Sequence, residues 1–146
     1  MTDLLVMAQI AGRRCALSAL EVQSVIDVGE ITPIPRAPAH VTGLAALRSQ
    51  ALTVLDCRSA IGLDRTGFAT DARAVVVRVE GHSYALKVDL IDDVAKAQGA
   101  PTLLPGGFGP LWDRVARGMV ETDRGPALLL DLAALVAGPA AARVAA

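Results

Sequence analysis

A weak internal repeat constrains this chain more than any other feature of its sequence. Ile10-Ala11-Gly12-Arg13-Arg14-Cys15-Ala16-Leu17, followed by Val22 and Val25, returns 69 positions later as Val79-Glu80-Gly81-His82-Ser83-Tyr84-Ala85-Leu86, followed by Ile91 and Val94. Gly43-Leu44 and Val54-Leu55-Asp56 return 75 positions later as Gly118-Met119 and Leu129-Leu130-Asp131, in the same order. In a chain this rich in Ala, Leu and Val, the Gly and Asp matches and the shared order carry the weight. They point to two related units of about 65–75 residues.

Size decides how such units can exist. A unit of ~60 residues without disulfide or metal draws only a few kcal/mol from its core, so two copies in 146 residues are expected to share apolar surface and fold as one domain. The expected organisation is a single domain over 1–146, with repeats at approximately 1–65 and 71–135 that can intertwine at their termini. Hydrophobic residues make up 53% and aromatics 3%, so the core must be built from Val, Leu, Ile and Ala. Fourteen basic residues nearly balance fifteen acidic ones, evenly along the chain, and so leave no electrostatic footprint for nucleic acid or anionic lipid. No uncharged run reaches the ~20 residues needed to span a bilayer. No basic segment leads the first apolar stretch as in an export signal, and a cytoplasmic protein without membrane insertion is expected. Cys15 and Cys57 lack a C-x-x-C spacing, so a disulfide is not expected.

Leu4–Ile10, Arg14–Leu17, Leu52–Asp56, Ala74–Glu80, Tyr84–Val88 and Leu128–Leu130 are short apolar or alternating runs that read as strands. Gly12-Arg13 and Gly81-His82 mark hairpin turns between them. Ser18–Ile26, Cys57–Ile61 and Leu132–Val136 with the Ala-rich tail read as short helices, and Gly62–Thr70 reads as a linker. The class is mostly β, with two small barrels packed together.

No converging set of reactive groups is present, so no catalytic residue, metal ligand or cofactor site is assigned. His40 and His82 have no acidic or cysteine partner at a useful spacing and read as surface or turn histidines. The cysteines read as buried and inert. Gly106–Gly109 lacks the Lys-Ser or Lys-Thr of a phosphate loop, Asp92-Asp93 reads as a solvated turn, and Tyr84 and Trp112 as core or rim packing. One segment stands apart. Three prolines, Pro33, Pro35 and Pro38, set an extended path into two apolar strands, and Arg48 is the single charge between Arg36 and Asp56. A guanidinium at such a tip is either a solvated turn or an interaction anchor flanked by apolar surface.

The segment Ile31–Asp56 resembles the signature of the CheW family of chemotaxis coupling proteins, approximately I-x-x-V-P-x-x-P-x-x-V-x-G-V-x-N-L-R-G-x-V-x-P-V-I-D-L. The likeness extends to the opening strand, the Gly12 hairpin and Val22-x-x-Val25, and to Val75–Val79, Gly81, Ala85-Leu86-x-Val88-Asp89 and Val94. It closes with Leu129-Leu130-Asp131-Leu132. The resemblance implies two SH3-like five-stranded β-barrel sub-domains sharing a core, with short helices and a C-terminal helix, and no enzymatic activity or cofactor. It implies an adaptor that couples the cytoplasmic tips of methyl-accepting chemoreceptors to the regulatory domain of a CheA-type histidine kinase, recruited to membrane-bound receptor arrays. Arg48 matches the signature arginine, Gly43 the glycine before it, and Val22 and Val25 the apolar pair of the interaction groove. Pro38 belongs to the same partner-binding set.

The chain departs from the signature at Ala46 for Asn, Ser49 for Gly and Thr53 for Pro, and Ser24 stands where Glu is frequent. Ser49 restricts the turn if it needs positive φ, and Ala46 removes a local hydrogen-bonding group. These changes keep open a divergent adaptor in a non-standard chemosensory or pilus-motility pathway, or a kinase-sequestering inhibitor. The alternative from another class is a small-ligand-binding β-barrel, which needs a polar cluster in a pocket that the sequence does not display.

Overall fold

The computed structural model describes residues 3–64 and 72–144, with side chains to Pro139. In chain order the elements are β1 (Leu4–Ile10), β2 (Arg13–Ser18), β3 (Val22–Asp27), β4 (Val41–Leu47), β5 (Gln50–Asp56), α1 (Cys57–Ile61), β6 (Arg73–Val79), β7 (His82–Lys87), β8 (Leu90–Lys96), α2 (Pro110–Val115), β9 (Ala116–Thr122), β10 (Gly125–Leu130) and α3 (Leu132–Val144). The strands form two five-stranded sheets, a first of order β8-β1-β2-β10-β9 and a second of order β3-β6-β7-β5-β4. Exchanging β1–β5 with β6–β10 converts one order into the other. Each sheet takes its central hairpin from one sequence copy and its other three strands from the other copy.

The hairpins turn one residue earlier than the sequence suggests. Ala11-Gly12 (φ 53° and 79°) and Glu80-Gly81 (φ 51° and 83°) occupy the two central positions, both left-handed, as a two-residue turn matched to strand twist requires. Ser18–Ile26 holds the strand β3 rather than a helix. The apolar pair Val22-x-x-Val25 has helical spacing, but a bulge between Val22 and Ser24 absorbs one residue, so both valines fall opposite Val77 and Val75 on one sheet face. Ile91 and Val94 repeat the arrangement on β8 against Ala8 and Val6. Asp92-Asp93 lies within β8 instead of a turn. The linker expected at Gly62–Thr70 falls largely outside the described residues.

Three apolar clusters follow from this exchange. The largest lies between the sheets and joins Ile10, Leu17, Leu55, Leu86, Ile91 and Leu130 with Ile61 of α1, Val115 of α2 and Leu132 and Leu135 of α3. A second is supplied by all five strands of the first sheet, including Met7, Ala16, Ala95, Val120 and Ala127. A third, with Ala45, Val54, Val76 and Ala85, belongs to the second sheet, and Ile26 packs against it. Each sheet thus buries apolar residues on both faces. A five-stranded sheet that encloses a cluster on one face must curl, and hydrogen bonds between its edges hold the curl. Gln98 N–H donates to Glu121 O (2.7 Å) and Asp123 N–H to Lys96 O (3.1 Å), joining the end of β8 to β9. In the second sheet, Thr32 and Leu44 exchange two bonds of 2.8 Å.

The Gly and Asp matches of the repeat now have physical causes. A Cβ on Gly43 would stand 2.3 Å from Thr32 O, and one on Gly118 would stand 2.8 Å from Thr102 O, where the same two segments cross in each copy. Asp56 accepts from the Arg58 and Ser59 N–H groups (3.0 and 3.4 Å) and caps α1. Asp131 does the same for α3, accepting from Ala134 N–H at 3.3 Å.

Candidate functional site

Arg48 and Ser49 form the whole two-residue loop between β4 and β5, which pair up to Leu47 and Gln50. Both are left-handed (φ 49° and 66°), and the Ser49 hydroxyl donates back to Arg48 O. The register of the two strands forces this turn even though neither residue is glycine. Arg48 is exposed, and its guanidinium has no partner among the described residues. Leu44 and Ala46 of β4 are exposed beside it, as is Ala51 of β5, paired with Ala46. In the second copy the corresponding tip is Asp123-Arg124, which turns without positive φ at either residue. It is tied to β8, with Asp123 accepting from Lys96 N–H at 2.9 Å and Arg124 facing Asp93 at 3.5 Å.

The other residues expected to join Arg48 lie on separate segments of the same sheet or lead into it. Val22 is half-buried against the inter-sheet core, and Val25 is 40% exposed. Both lie on β3, at the opposite edge of the sheet order from β4. Gly43 is buried beneath the Thr32 segment. Pro38 is exposed and precedes β4, whereas Arg48 follows it; the seven-residue strand separates them by roughly 20 Å. The structure therefore offers an apolar pair on β3 and a cationic tip at β4–β5, with Gln23 of β3 and Gln50 beside Arg48 lining one cleft and Pro38 at the other end of β4.

Two polar clusters escaped the sequence because their members are far apart along the chain. Arg58 of α1 grips Asp89 with three bonds of 2.6, 3.0 and 3.2 Å, and Asp89 also accepts from Ala11 N–H at 3.0 Å. Asp89 is where the chain crosses from β7 in one sheet to β8 in the other, so this cluster ties the crossover to a hairpin of the first sheet and a helix of the second. The Arg58 hydrogen bonds hold the Asp89 carboxyl below its ordinary range. Arg13, two residues beyond Ala11, lies over the Trp112 ring at 4.9 Å.

The second cluster lines a cleft of about 440 Å³ where the three helices meet the Pro38–His40 segment. His40 is not a surface histidine: it is buried, and its Nε2 lies 2.9 Å from Val136 O of α3. Gly138, where α3 kinks, is held against the imidazole, since a Cβ there would stand 2.3 Å from Cε1. Arg114 of α2 donates to Ala134 O (3.0 Å) and to Ala60 O, riveting α1 to α3. Burial pulls the Arg114 pKa down.

Both cysteines are buried and unpaired; burial pushes the Cys15 thiol up to about 12 and raises Cys57 as well, so neither is poised as a nucleophile. Tyr84 and Trp112 pack against the inter-sheet core, as their isolation in the sequence suggests. Among the described residues no group of three His, Cys, Asp or Glu could hold a metal ion, and no helix is long and apolar enough to cross a membrane.

Comparison with known proteins gives two findings. The model of the CheW-like domain matches residues 4–139. The fold is similar to the crystal structure of the scaffolding protein TtCheW from Thermoanaerobacter tengcongensis, with a TM-score of 0.78, 24% sequence identity and 90% of each chain covered. No curated protein sequence matches the chain.

Proposed function

Since the chain belongs to the CheW-like domain family, we propose that it is a non-enzymatic adaptor coupling chemoreceptors to a CheA-type histidine kinase in chemotaxis signal transduction. In this reading it works in the cytoplasm, recruited to membrane-bound receptor arrays. It binds the cytoplasmic tips of the receptors and the regulatory domain of the kinase, and holds both in one geometry. The observation that carries the reading beyond family membership is Arg48, a cation without a partner among the described residues, held on a two-residue turn beside exposed Leu44 and Ala46. Val22 and Val25 at the β3 edge supply a second contact. Gly43 and Pro38 act through position, one letting the Thr32 segment close on β4 and the other setting the approach to it.

Purified protein should co-sediment with receptor-containing membranes and bind the isolated regulatory domain of the kinase; failure of both sinks the proposal. Arg48→Ala should weaken partner binding by ~2 kcal/mol or more while leaving the melting temperature nearly unchanged. An equal loss of stability and binding would make Arg48 structural.

Ser49 supports a second reading. The signature turn carries glycine there, and this chain holds a serine at φ 66°. A tip that carries a hydroxyl where the signature has none is compatible with a kinase-sequestering inhibitor, or with an adaptor of a divergent chemosensory or pilus-motility pathway. Separate pull-downs against receptor and kinase distinguish them, because an inhibitor binds the kinase alone.

A further inference from the structure

The cleft at the helix junction is built from both sequence copies: Ser59 and Leu63 come from the first, Leu111, Arg114 and Pro139 from the second, with Pro38 at its rim. Three features make it more than a gap. Its volume of about 440 Å³ falls in the range of small-molecule sites. Its walls are stiff, because Pro38, Pro110 and Pro139 each have fixed φ and the His40 ring is pinned between Val136 O and Gly138. Its charge is one-sided: Arg114 lines it, and among the described residues no acidic side chain does.

Arg114 sets the chemistry. The guanidinium has five N–H donors, and the two bonds to Ala60 O and Ala134 O leave others free. No side-chain nitrogen is both sealed in the interior and unpaired among the described residues, so Nε, which bonds neither carbonyl, is open to its surroundings. The two carbonyls orient the guanidinium but do not neutralise it, and Arg114 has no carboxylate partner among the described residues. A half-buried cation balanced only by dipoles gains most from an anion that arrives with its own planar pair of oxygens. Leu63 and Leu111 supply apolar surface beside it.

We propose that this cleft binds a small monocarboxylate, with the carboxylate on Arg114 and a short apolar body against Leu63 and Leu111. The site lies at the end of β4 remote from Arg48, and it does not depend on the adaptor reading.

Trp112, the one tryptophan of the chain, sits two residues before Arg114 and reports on α2. The test is a fluorescence titration of the full chain with sodium hexanoate, against 1-hexanol as an uncharged control of the same length, at constant ionic strength. Hexanoate should give a saturable change, and hexanol a response at least ten-fold weaker. Arg114→Gln should weaken hexanoate binding at least ten-fold. Because Arg114 also rivets two helices, a second variant is needed: Leu111→Glu, at a residue 42% exposed, sets a carboxylate in the cleft with little strain on the fold and should cause a comparable loss. Absence of a saturable response to hexanoate, equal binding of hexanoate and hexanol, or undiminished hexanoate binding by Leu111→Glu overturns the proposal.

Discussion

Ser49 occupies a backbone position that favours glycine. Its φ of 66°, next to Arg48 at 49°, is imposed by the Leu47–Gln50 pairing. An L-residue other than glycine loses about 1 kcal/mol in that conformation. Ser49→Gly should raise stability by about 1 kcal/mol and the melting temperature by about 2–4 °C for a chain of this size; calorimetry of the two proteins checks it. The Arg58–Asp89 bridge acts in the opposite sense, stabilising the crossover. Its side chains keep 27% and 23% of their surface exposed, so Asp89→Asn should cost about 1–2 kcal/mol at neutral pH. The Asp89 carboxyl has a depressed pKa in the folded state. Its contribution is therefore complete above the ordinary aspartate value of about 3.9 and is lost as pH falls through the lower folded value. Urea midpoints of the native chain and Asp89→Asn should differ at pH 7 and converge toward pH 2.

At the level of single elements, a bulge explains where sequence reading fails. Leu4–Ile10 and Cys57–Ile61 have the boundaries their patterns suggest. β3 does not, because Val22-x-x-Val25 carries a three-residue apolar spacing that a helix and a bulged strand share, and only pairing with β6 separates them. The short helix α2 was hidden for a related reason: it starts at Pro110 in a Gly- and Pro-rich loop, and Val115 is its sole fully buried residue. The crossing of the Thr32 segment over β4 is an element-level constraint that the sequence marks only by one glycine. Gly43→Ala should lower stability by about 3 kcal/mol through the clash with Thr32 O, and Gly118→Ala, whose contact with Thr102 O is looser, by less. Chemical denaturation of the two variants gives both the size and the order. If Gly43→Ala retains stability but loses partner binding, the glycine is itself part of the contact.

For the whole molecule, the interleaved sheets govern stability. The first sheet cannot form from residues of one copy, since β1 and β2 are flanked by β8 and β10. Nor can the second, whose centre is β6 and β7. A fragment of residues 1–64 should therefore show no cooperative unfolding transition alone and should recover β structure when mixed with residues 72–146, as read by circular dichroism. A cooperative transition in the isolated fragment would contradict the exchange.

The β class, the twofold repetition, most strand positions and the singular placement of Arg48 are all legible along the chain, because alternation, glycine and charge spacing are local properties. So is the family, through residues spread from Leu4 to Pro139. Long-range packing, by contrast, makes the copies exchange their hairpins, sets Val25 and Arg48 in one sheet, and places His40 in the interior. The cleft around Arg114 belongs to the same class of result. Its walls join residues from Pro38 to Pro139, and Arg114 meets Ala60 across 54 positions, a proximity that no local pattern encodes because it arises from two sheets closing on a common core.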